Sequence, residues 1–377
     1  MRPIQMVDLK TQHAAIATEV QAALADCLTN TAFIGGPKVA AFRANLEAYL
    51  NVKRVVPCAN GTDALQLALM SLDLEVGDEV IVPAFTYVAT AEVIGLLRLR
   101  PVLVDVDPHT FNTTAEYIAT ALTAKTKAIV PVHLFGQSAD MAPILALARQ
   151  HNIAVIEDNA QAIGADYIFE NGQVAKTGTL GHIGCTSFYP SKNLGAYGDG
   201  GALMTQDEAL GERLQMLANH GQQKRYYHDL IGVNSRLDAL QAAILDIKLK
   251  RLDAYTQARQ AAAAYYDQAL AAIAAVAIPK RQHNSTHVFH QYTLKVPAQH
   301  RDALQVYLKE RNIPTMIYYP VPLQEQAAYR SIIQQPTQDL SNTNQLCKEV
   351  LSLPMHSELE EEQLAYIVHC IQKFFEG

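Results

Sequence analysis

Short apolar runs alternate with longer amphipathic stretches between about residues 55 and 205. The short runs predict strands at 80–82, 102–104, 128–132, 154–156, 185–188 and 201–204. Between them, apolar residues recur three or four positions apart, which predicts helices at 64–72, 117–122 and 144–150. This alternation is typical of an α/β fold in which helices cover both faces of a mainly parallel sheet.

The pattern changes after this region. Residues 237–270 are rich in alanine and contain no glycine or proline, which predicts one long helix leaving the first domain. Further on, segments at 291–296 and 316–319 and a closing helix at 360–375 indicate a smaller α+β unit. We therefore expect a large α/β domain over residues 1–250 and a small C-terminal domain over residues 251–377.

Composition narrows the class of function. The 377 residues are 49% hydrophobic, which is enough for two buried cores. Thirty basic and 37 acidic residues give a net charge of −7 without a basic block, so neither nucleic acid nor an anionic membrane is an expected partner. With no leader and no long apolar run, we expect a soluble, cytoplasmic protein. The five cysteines are widely spaced, so neither disulfides nor a metal site is expected.

Asn60, Gly61, Thr62 and Asp63 stand directly before a predicted helix. A glycine at a helix start leaves backbone amides free and lets a phosphate come close, and the helix dipole attracts the anion. The alternative is an ordinary helix start capped by Thr62 or Asp63.

Two further polar segments follow predicted strands, where open parallel sheets bind ligands. Asp158 follows the strand at 154–156, and a buried carboxylate there needs a positive partner, such as a protonated ring nitrogen. Otherwise it caps the next helix. Lys192 lies between a strand end and a glycine-rich loop, where loss of water would lower its pKa and make it a nucleophile toward an aldehyde. A lone lysine is otherwise a solvated surface group.

Together these segments resemble the DegT/DnrJ/EryC1/StrS family of sugar aminotransferases, which are fold-type-I pyridoxal phosphate enzymes. The resemblance covers nearly the whole chain. Its motifs are 5–10 (QMVDLK), 33–39 (FIGGPKV), 58–65 (CANGTDAL), 77–90 (GDEVIVPAFTYVAT), 157–162 (EDNAQA), 187–201 (SFYPSKNLGAYGDGG) and 232–240 (GVNSRLDAL).

The resemblance implies a set of roles around pyridoxal 5'-phosphate. Lys192 would be the catalytic residue, first bonded to the cofactor aldehyde and then moving a proton between substrate and cofactor as a free amine. Asp158 would pair with the pyridine nitrogen, Gln161 would bond the ring's 3-oxygen and Tyr87 would stack on the ring. Lysine at position 192 argues against the related dehydratases, which carry histidine there.

The phosphate end of the cofactor is assigned in the same way. Gly61, Thr62, Asp63 and Ser187 would lie around the phosphate, and Asn234 would reach it from another subunit. The resemblance therefore implies a homodimer with shared active sites.

The likeness is greatest to enzymes that aminate C3 of a UDP-linked 2-acetamido-2-deoxy-3-oxo-glucuronate, with L-glutamate as donor, for bacterial O-antigen. The segments 220–236 (HGQQKRYYHDLIGVNSR) and 352–356 (SLPMH) carry it. Arg236 could clamp a carboxylate, and Lys224 and Arg225 could line the nucleotide path. For Lys224 and Arg225, a solvated loop is the alternative.

Tyr318 departs from the family, because relatives commonly have histidine at this position. A phenol keeps a hydrogen-bonding tip but has no charge that switches near neutral pH. The identity of the sugar is therefore open.

Two alternative functions remain. One is amination of C3 or C4 in a dTDP- or GDP-linked deoxy-keto-sugar, and the other is a non-catalytic regulatory or ligand-binding protein on the same scaffold.

Overall fold

The computed structural model describes residues 1–333 and 338–376. The strands are β1 (Arg54–Cys58), β2 (Glu79–Pro83), β3 (Arg100–Val104), β4 (Thr126–Ile129), β5 (Ala154–Asp158), β6 (Asp166–Ile168), β7 (Val174–Lys176), β8 (Ile183–Ser187), β9 (Gly201–Thr205), β10 (Gln222–Lys224), β11 (Tyr227–His228), β12 (Tyr292–Lys295) and β13 (Val350–Leu353).

The helices run between and around these strands. They are α1 (Leu9–Thr29), α2 (Gly36–Leu50), α3 (Gly61–Met70), α4 (Ala89–Leu96), α5 (Ala115–Ala121), α6 (Met141–His151), α7 (Glu208–Leu217), α8 (Ala239–Leu249), α9 (Leu252–Leu270), α10 (Ala298–Glu310), α11 (Ser341–Glu349) and α12 (Glu361–Glu376). Within the described ranges, no helix combines the length and the apolar character that crossing a lipid bilayer requires.

A seven-stranded sheet forms the centre of the fold, in the order β1-β9-β8-β5-β4-β2-β3. Strands β3, β2, β4, β5 and β8 pair in parallel, whereas β9 runs antiparallel to both β8 and β1. The strands are mostly buried on both sides, as expected when helices cover both faces of a sheet. The predicted α/β class is confirmed.

Most predicted strands in this sheet agree with the structure within one or two residues. The segment predicted at 128–132 is the least accurate, because β4 runs from Thr126 to Ile129 and only single bridges continue beyond it. Strand β1 was not predicted, although it lies at one edge of the sheet.

The prediction of one long helix at 237–270 is wrong. Helix α8 ends at Leu249 and α9 begins at Leu252, with Arg251 at a φ of −113° and a ψ of 0° between them. Leu249 and Leu252 are both buried in the same core cluster. At the break the Arg251 amide donates to the Lys248 carbonyl at 3.0 Å, and Nη1 of Arg251 donates to the Ile247 carbonyl at 3.1 Å. The side chain of Arg251 thus satisfies the carbonyl that a continuous helix would pair with its amide, and no glycine or proline marks the break.

The C-terminal part packs a second core. Strands β12 and β13 form a two-stranded antiparallel sheet, and its residues pack with α9, α10 and α12. The segment predicted at 316–319 is not a strand, since only Met316 forms a bridge, with Ser352. The division into domains at residue 250 stays a prediction.

Candidate active site

The carboxyl end of the central sheet brings Asp158 and Lys192 together. Asp158 is the last residue of β5, and the neighbouring parallel strand β8 ends at Ser187, five residues before Lys192. Parallel strands that end at one edge place their following residues side by side. Asp158 and Lys192 consequently interact electrostatically.

Asp158 lies in a largely buried setting, with 6% of its surface exposed. The Thr90 hydroxyl donates a hydrogen bond of 3.0 Å to Oδ2, and the Ala160 amide donates one of 3.2 Å to Oδ1. Burial raises the pKa of Asp158, although both hydrogen bonds and the charge of Lys192 oppose the rise. A cation held next to this carboxylate would restore its charged form.

Burial changes the pKa of Lys192 in the opposite direction. Burial lowers the pKa of Lys192 from 10.5 to about 8, although the negative charge of Asp158 opposes the change. A larger share of its amine is therefore neutral near physiological pH than in an exposed lysine. The neutral amine is the form that attacks an aldehyde.

The start of α3 lies against the end of β8. A Cβ atom added to Gly61 would lie 2.6 Å from Cβ of Ser187, so only glycine fits at this approach. The alternative prediction that Thr62 or Asp63 caps this helix is wrong. The side chain of Asn60 caps α3 instead, by accepting a 2.8 Å hydrogen bond from the Asp63 amide. Thr62 and Asp63 lie partly exposed in the first turn.

Gln161 links two distant segments of the chain. Its Oε1 accepts a 2.8 Å hydrogen bond from the Phe135 amide, and its Nε2 donates a 3.0 Å hydrogen bond to the Tyr319 hydroxyl. The Tyr319 ring lies 6.3 Å from the ring of Tyr87, which is 57% exposed. Tyr319 was missed from sequence, because it is 158 residues from Gln161 and no local motif links the two.

Glu157 supports the end of β5 from the other side of the strand. Its carboxylate is buried and accepts hydrogen bonds from the amides of Gly178, Leu180 and Gly181, at 2.8, 2.7 and 2.6 Å. The His133 ring contributes Nε2 at 2.8 Å. Four donors satisfy this carboxylate and so fix the strand end that carries Asp158.

The remaining predicted residues differ in exposure. Lys224, Arg225, Asn234 and Arg236 are all exposed. Ser235, between the last two, is buried, and its hydroxyl accepts a 3.1 Å hydrogen bond from the Ala59 amide. Tyr318 is partly buried, hydrogen-bonds with Gln291, and has a pKa raised by burial. Lys224, Arg225, Asn234 and Arg236 are therefore open to solvent in a single chain.

Among the residues that the structure describes, no group of three or more histidine, cysteine, aspartate or glutamate side chains is arranged to hold a metal ion.

Comparison with known proteins gives whole-chain matches. The DegT/DnrJ/EryC1/StrS aminotransferase family profile matches residues 14–372. A "pleiotropic regulatory protein" of Geobacillus stearothermophilus is 44% identical over 374 residues, covering 99% of this chain and 98% of the relative. A UDP-N-acetyl-3-dehydro-α-D-glucosamine 3-aminotransferase of Acidithiobacillus ferrooxidans is 43% identical with the same coverage. A UDP-2-acetamido-2-deoxy-3-oxo-D-glucuronate aminotransferase of Pseudomonas aeruginosa is 42% identical, covering 97% and 98%.

Solved structures agree with this result. A DegT DnrJ EryC1 StrS aminotransferase from Brucella abortus superposes with a TM-score of 0.94 at 39% identity, covering 99% of this chain and 100% of that one. NtdA from Bacillus subtilis, solved with the cofactor PMP, superposes with a TM-score of 0.88 at 28% identity, covering 96% and 82%.

The residues described above fit pyridoxal 5'-phosphate. The buried, raised-pKa carboxylate of Asp158 suits a protonated ring nitrogen, and the lowered pKa of Lys192 suits reaction with the cofactor aldehyde. The N-terminus of α3, where Gly61 meets Ser187, suits the phosphate. When bound, this cofactor supplies an electron sink for amino transfer. The chain therefore belongs to the DegT/DnrJ/EryC1/StrS aminotransferase family and is a pyridoxal-phosphate-dependent sugar aminotransferase.

Proposed function

We propose that the protein transfers an amino group from L-glutamate to C3 of a UDP-linked 2-acetamido-2-deoxy-3-oxo-glucuronate in the cytoplasm. One observation carries the proposal. Two relatives that match this chain over at least 97% of its length, at 42% and 43% identity, are named for amination of UDP-linked 3-keto sugars. Use of the product in bacterial O-antigen is proposed from the sequence resemblance alone.

Within one subunit, we propose that Lys192 is the catalytic residue and Asp158 the partner of the pyridine nitrogen. Gln161 is proposed to reach the 3-oxygen, and the exposed ring of Tyr87 to cover the cofactor. Gly61, Thr62, Asp63 and Ser187 are proposed to form the phosphate end. The support is their arrangement around one sheet edge and one helix N-terminus.

The exposed positions are proposed to serve a second subunit. Asn234 and Arg236 flank the buried Ser235 and lie exposed on their own chain, so they are free to complete a neighbouring site. In that arrangement Arg236 would neutralise the uronate or the glutamate carboxylate, and Lys224 and Arg225 would meet the pyrophosphate. Tyr318 is proposed to contact the sugar from the C-terminal part. A homodimer with shared sites follows.

A regulatory role is the second candidate, favoured by the name of the Geobacillus relative. The pairing of Lys192 with Asp158 supports catalysis instead, because a protein that only binds a ligand needs no lysine with a lowered pKa beside a buried acid.

Substrate comparison tests the proposal. The cofactor-loaded protein and L-glutamate are incubated with one of three sugars. These are the UDP-linked 3-keto uronate, its neutral counterpart with a hydroxymethyl group in place of the carboxylate, and a dTDP-linked 6-deoxy-3-keto sugar. Mass spectrometry then follows the amino sugar, with Lys192→Ala as the inactive control. We expect the highest kcat/KM with the uronate and loss of that preference in Arg236→Ala. A higher kcat/KM with either other sugar would reject the uronate.

A further inference from the structure

The segment before β12 forms part of the wall beside Lys192. The Val288 amide donates a 2.8 Å hydrogen bond to the Gly136 carbonyl, and the Gln291 amide donates one of 3.2 Å to the Phe135 carbonyl. From the lysine loop, Nδ2 of Asn193 donates a 2.8 Å hydrogen bond to the Val288 carbonyl. The backbone around residue 290 is therefore held from both sides of the site.

The buried side chain of Arg259 also holds this segment. Nη1 of Arg259 donates hydrogen bonds of 2.9 Å to the Phe289 carbonyl and 3.0 Å to the Met355 carbonyl. No carboxylate of the described chain forms an ion pair with Arg259. A buried positive charge thus remains behind His290 without an acid to balance it.

His290 interacts electrostatically with both Arg259 and Lys192, and 5% of its surface is exposed. Burial, followed by the positive charges of Lys192 and Arg259, holds the pKa of His290 well below its usual value. The imidazole is therefore neutral at physiological pH. In that form one ring nitrogen accepts a hydrogen bond and the other donates.

The hydrogen bonding of His290 differs from that of the other buried histidines. Nδ1 of His133, His287 and His356 each accepts a hydrogen bond from a backbone amide, at 3.0, 3.0 and 3.2 Å. Nδ1 of His290 is buried and has no partner among the residues described. A buried polar atom without a partner is destabilising, which points to a ligand or a moving side chain as its partner during catalysis.

We propose that His290 is a positioning residue for Lys192: its Nδ1 accepts a hydrogen bond from the neutral amine and so directs the amine's lone pair toward the aldehyde. The donated hydrogen stays on Nζ of Lys192, and the imidazole remains neutral. The flexible four-carbon chain of Lys192 lets its amine turn between the cofactor and the imidazole. This role concerns the lysine alone and is independent of which sugar is the substrate.

Reactivity of the apoprotein tests this role. Pyridoxal phosphate is added at a series of pH values, and borohydride trapping with mass spectrometry gives its rate of attachment to Lys192. We expect His290→Leu to lower the plateau rate roughly three- to tenfold, the loss expected for one hydrogen bond. His290→Asn, which matches leucine in shape but keeps a polar atom near Nδ1, should retain most of the rate.

The matched control is His287→Leu, three positions away, because His287 is 7% exposed and its Nδ1 already has a partner. It should lower stability but leave the attachment rate within about twofold of wild type. An unchanged rate in His290→Leu, or an equal loss in His287→Leu, would overturn the proposal.

A second variant covers the case in which His290→Leu does not fold. His290→Gln then replaces it, because glutamine moves the polar group toward Nε2. A rate in the Gln variant equal to or above that of the Asn variant also overturns the proposal.

The half-reaction with L-glutamate gives a second readout. We expect His290→Leu to lower kcat while KM for glutamate stays within twofold, because the amine acts after glutamate is bound. A rise in KM with an unchanged kcat would place His290 in donor binding and reject the positioning role. Neither assay uses a sugar, so their outcome does not depend on the proposed sugar substrate.

Discussion

Burial changes the pKa of Asp158 and the pKa of Lys192 in opposite directions, because it penalises the charged form of each. Their mutual attraction opposes both changes. The two residues therefore control each other's protonation state before any cofactor binds. This interaction can be measured in the apoprotein.

We expect the rate at which pyridoxal phosphate attaches to Lys192 to rise with pH and to reach half of its plateau near the lysine pKa of about 8. Asp158→Asn removes the charge that raises this pKa, so its midpoint should move to lower pH. Stopped-flow absorbance of the apoprotein from pH 6 to 10 measures both profiles. The exposed carboxylate of Glu208 at the start of α7 provides a control, Glu208→Gln, that should not move the midpoint. A wild-type midpoint near that of an exposed lysine would contradict the interpretation.

At the scale of elements, helix α8 holds the loop that carries Lys192. Nζ of Lys248 donates a 2.6 Å hydrogen bond to the Gly195 carbonyl, and Oε1 of Gln241 accepts one of 2.8 Å from the Tyr197 amide. Lys248 is 1% exposed, and burial, with the charge of Arg259, lowers its pKa to about 8. A buried amine thus links the helix to the catalytic loop.

The lowered pKa of Lys248 predicts that the stability of the fold depends on pH. Above pH 8 the folded chain releases the proton of Lys248, while the unfolded chain keeps it to about pH 10.4, so stability rises with pH across this window. Lys248→Met removes this contribution. The free energy of unfolding of wild type should therefore rise relative to the variant by roughly 1 kcal/mol per pH unit between about pH 8 and 10.

Urea unfolding of both proteins at several pH values measures the difference, in which all other groups cancel. Lys250→Met is the control, because Lys250 lies at the end of the same helix with 65% of its side chain exposed. A pH-independent difference between wild type and Lys248→Met would show that Lys248 stays protonated in the fold.

At the scale of the whole molecule, the proposed sharing of active sites predicts complementation between inactive subunits. Lys192→Ala lacks the nucleophile, and Asn234→Ala/Arg236→Ala lacks the residues proposed to act in the partner's site. Mixing the two after subunit exchange should restore about a quarter of wild-type activity, since half of the dimers are mixed and each has one intact site.

Lys192→Ala mixed with Asp158→Ala is the matched control. Lys192 and Asp158 belong to the same site of one chain, so no mixed dimer of these variants has an intact site. Equal recovery in both mixtures would contradict the sharing of sites, and no recovery in either would place Asn234 and Arg236 in their own chain's site.

Much of this protein is determined by its sequence. Alternating apolar runs and amphipathic stretches report local backbone structure and the buried face of each element, so they predict the mainly parallel sheet. Asp158 and Lys192 could also be proposed from sequence, because Asp158 ends one strand, Lys192 comes soon after another, and parallel strands end at a common edge.

Only the tertiary structure decided the rest. At the break between α8 and α9 the Arg251 side chain satisfies the Ile247 carbonyl, and the hydrogen bond between Gln161 and Tyr319 joins residues far apart in the chain. The backbone bonds of Val288 to Gly136 and of Gln291 to Phe135 hold the segment that carries His290, and no local pattern marks this histidine. Local patterns record which residues are buried, whereas packing between distant segments decides which buried groups meet and which of them lacks a partner.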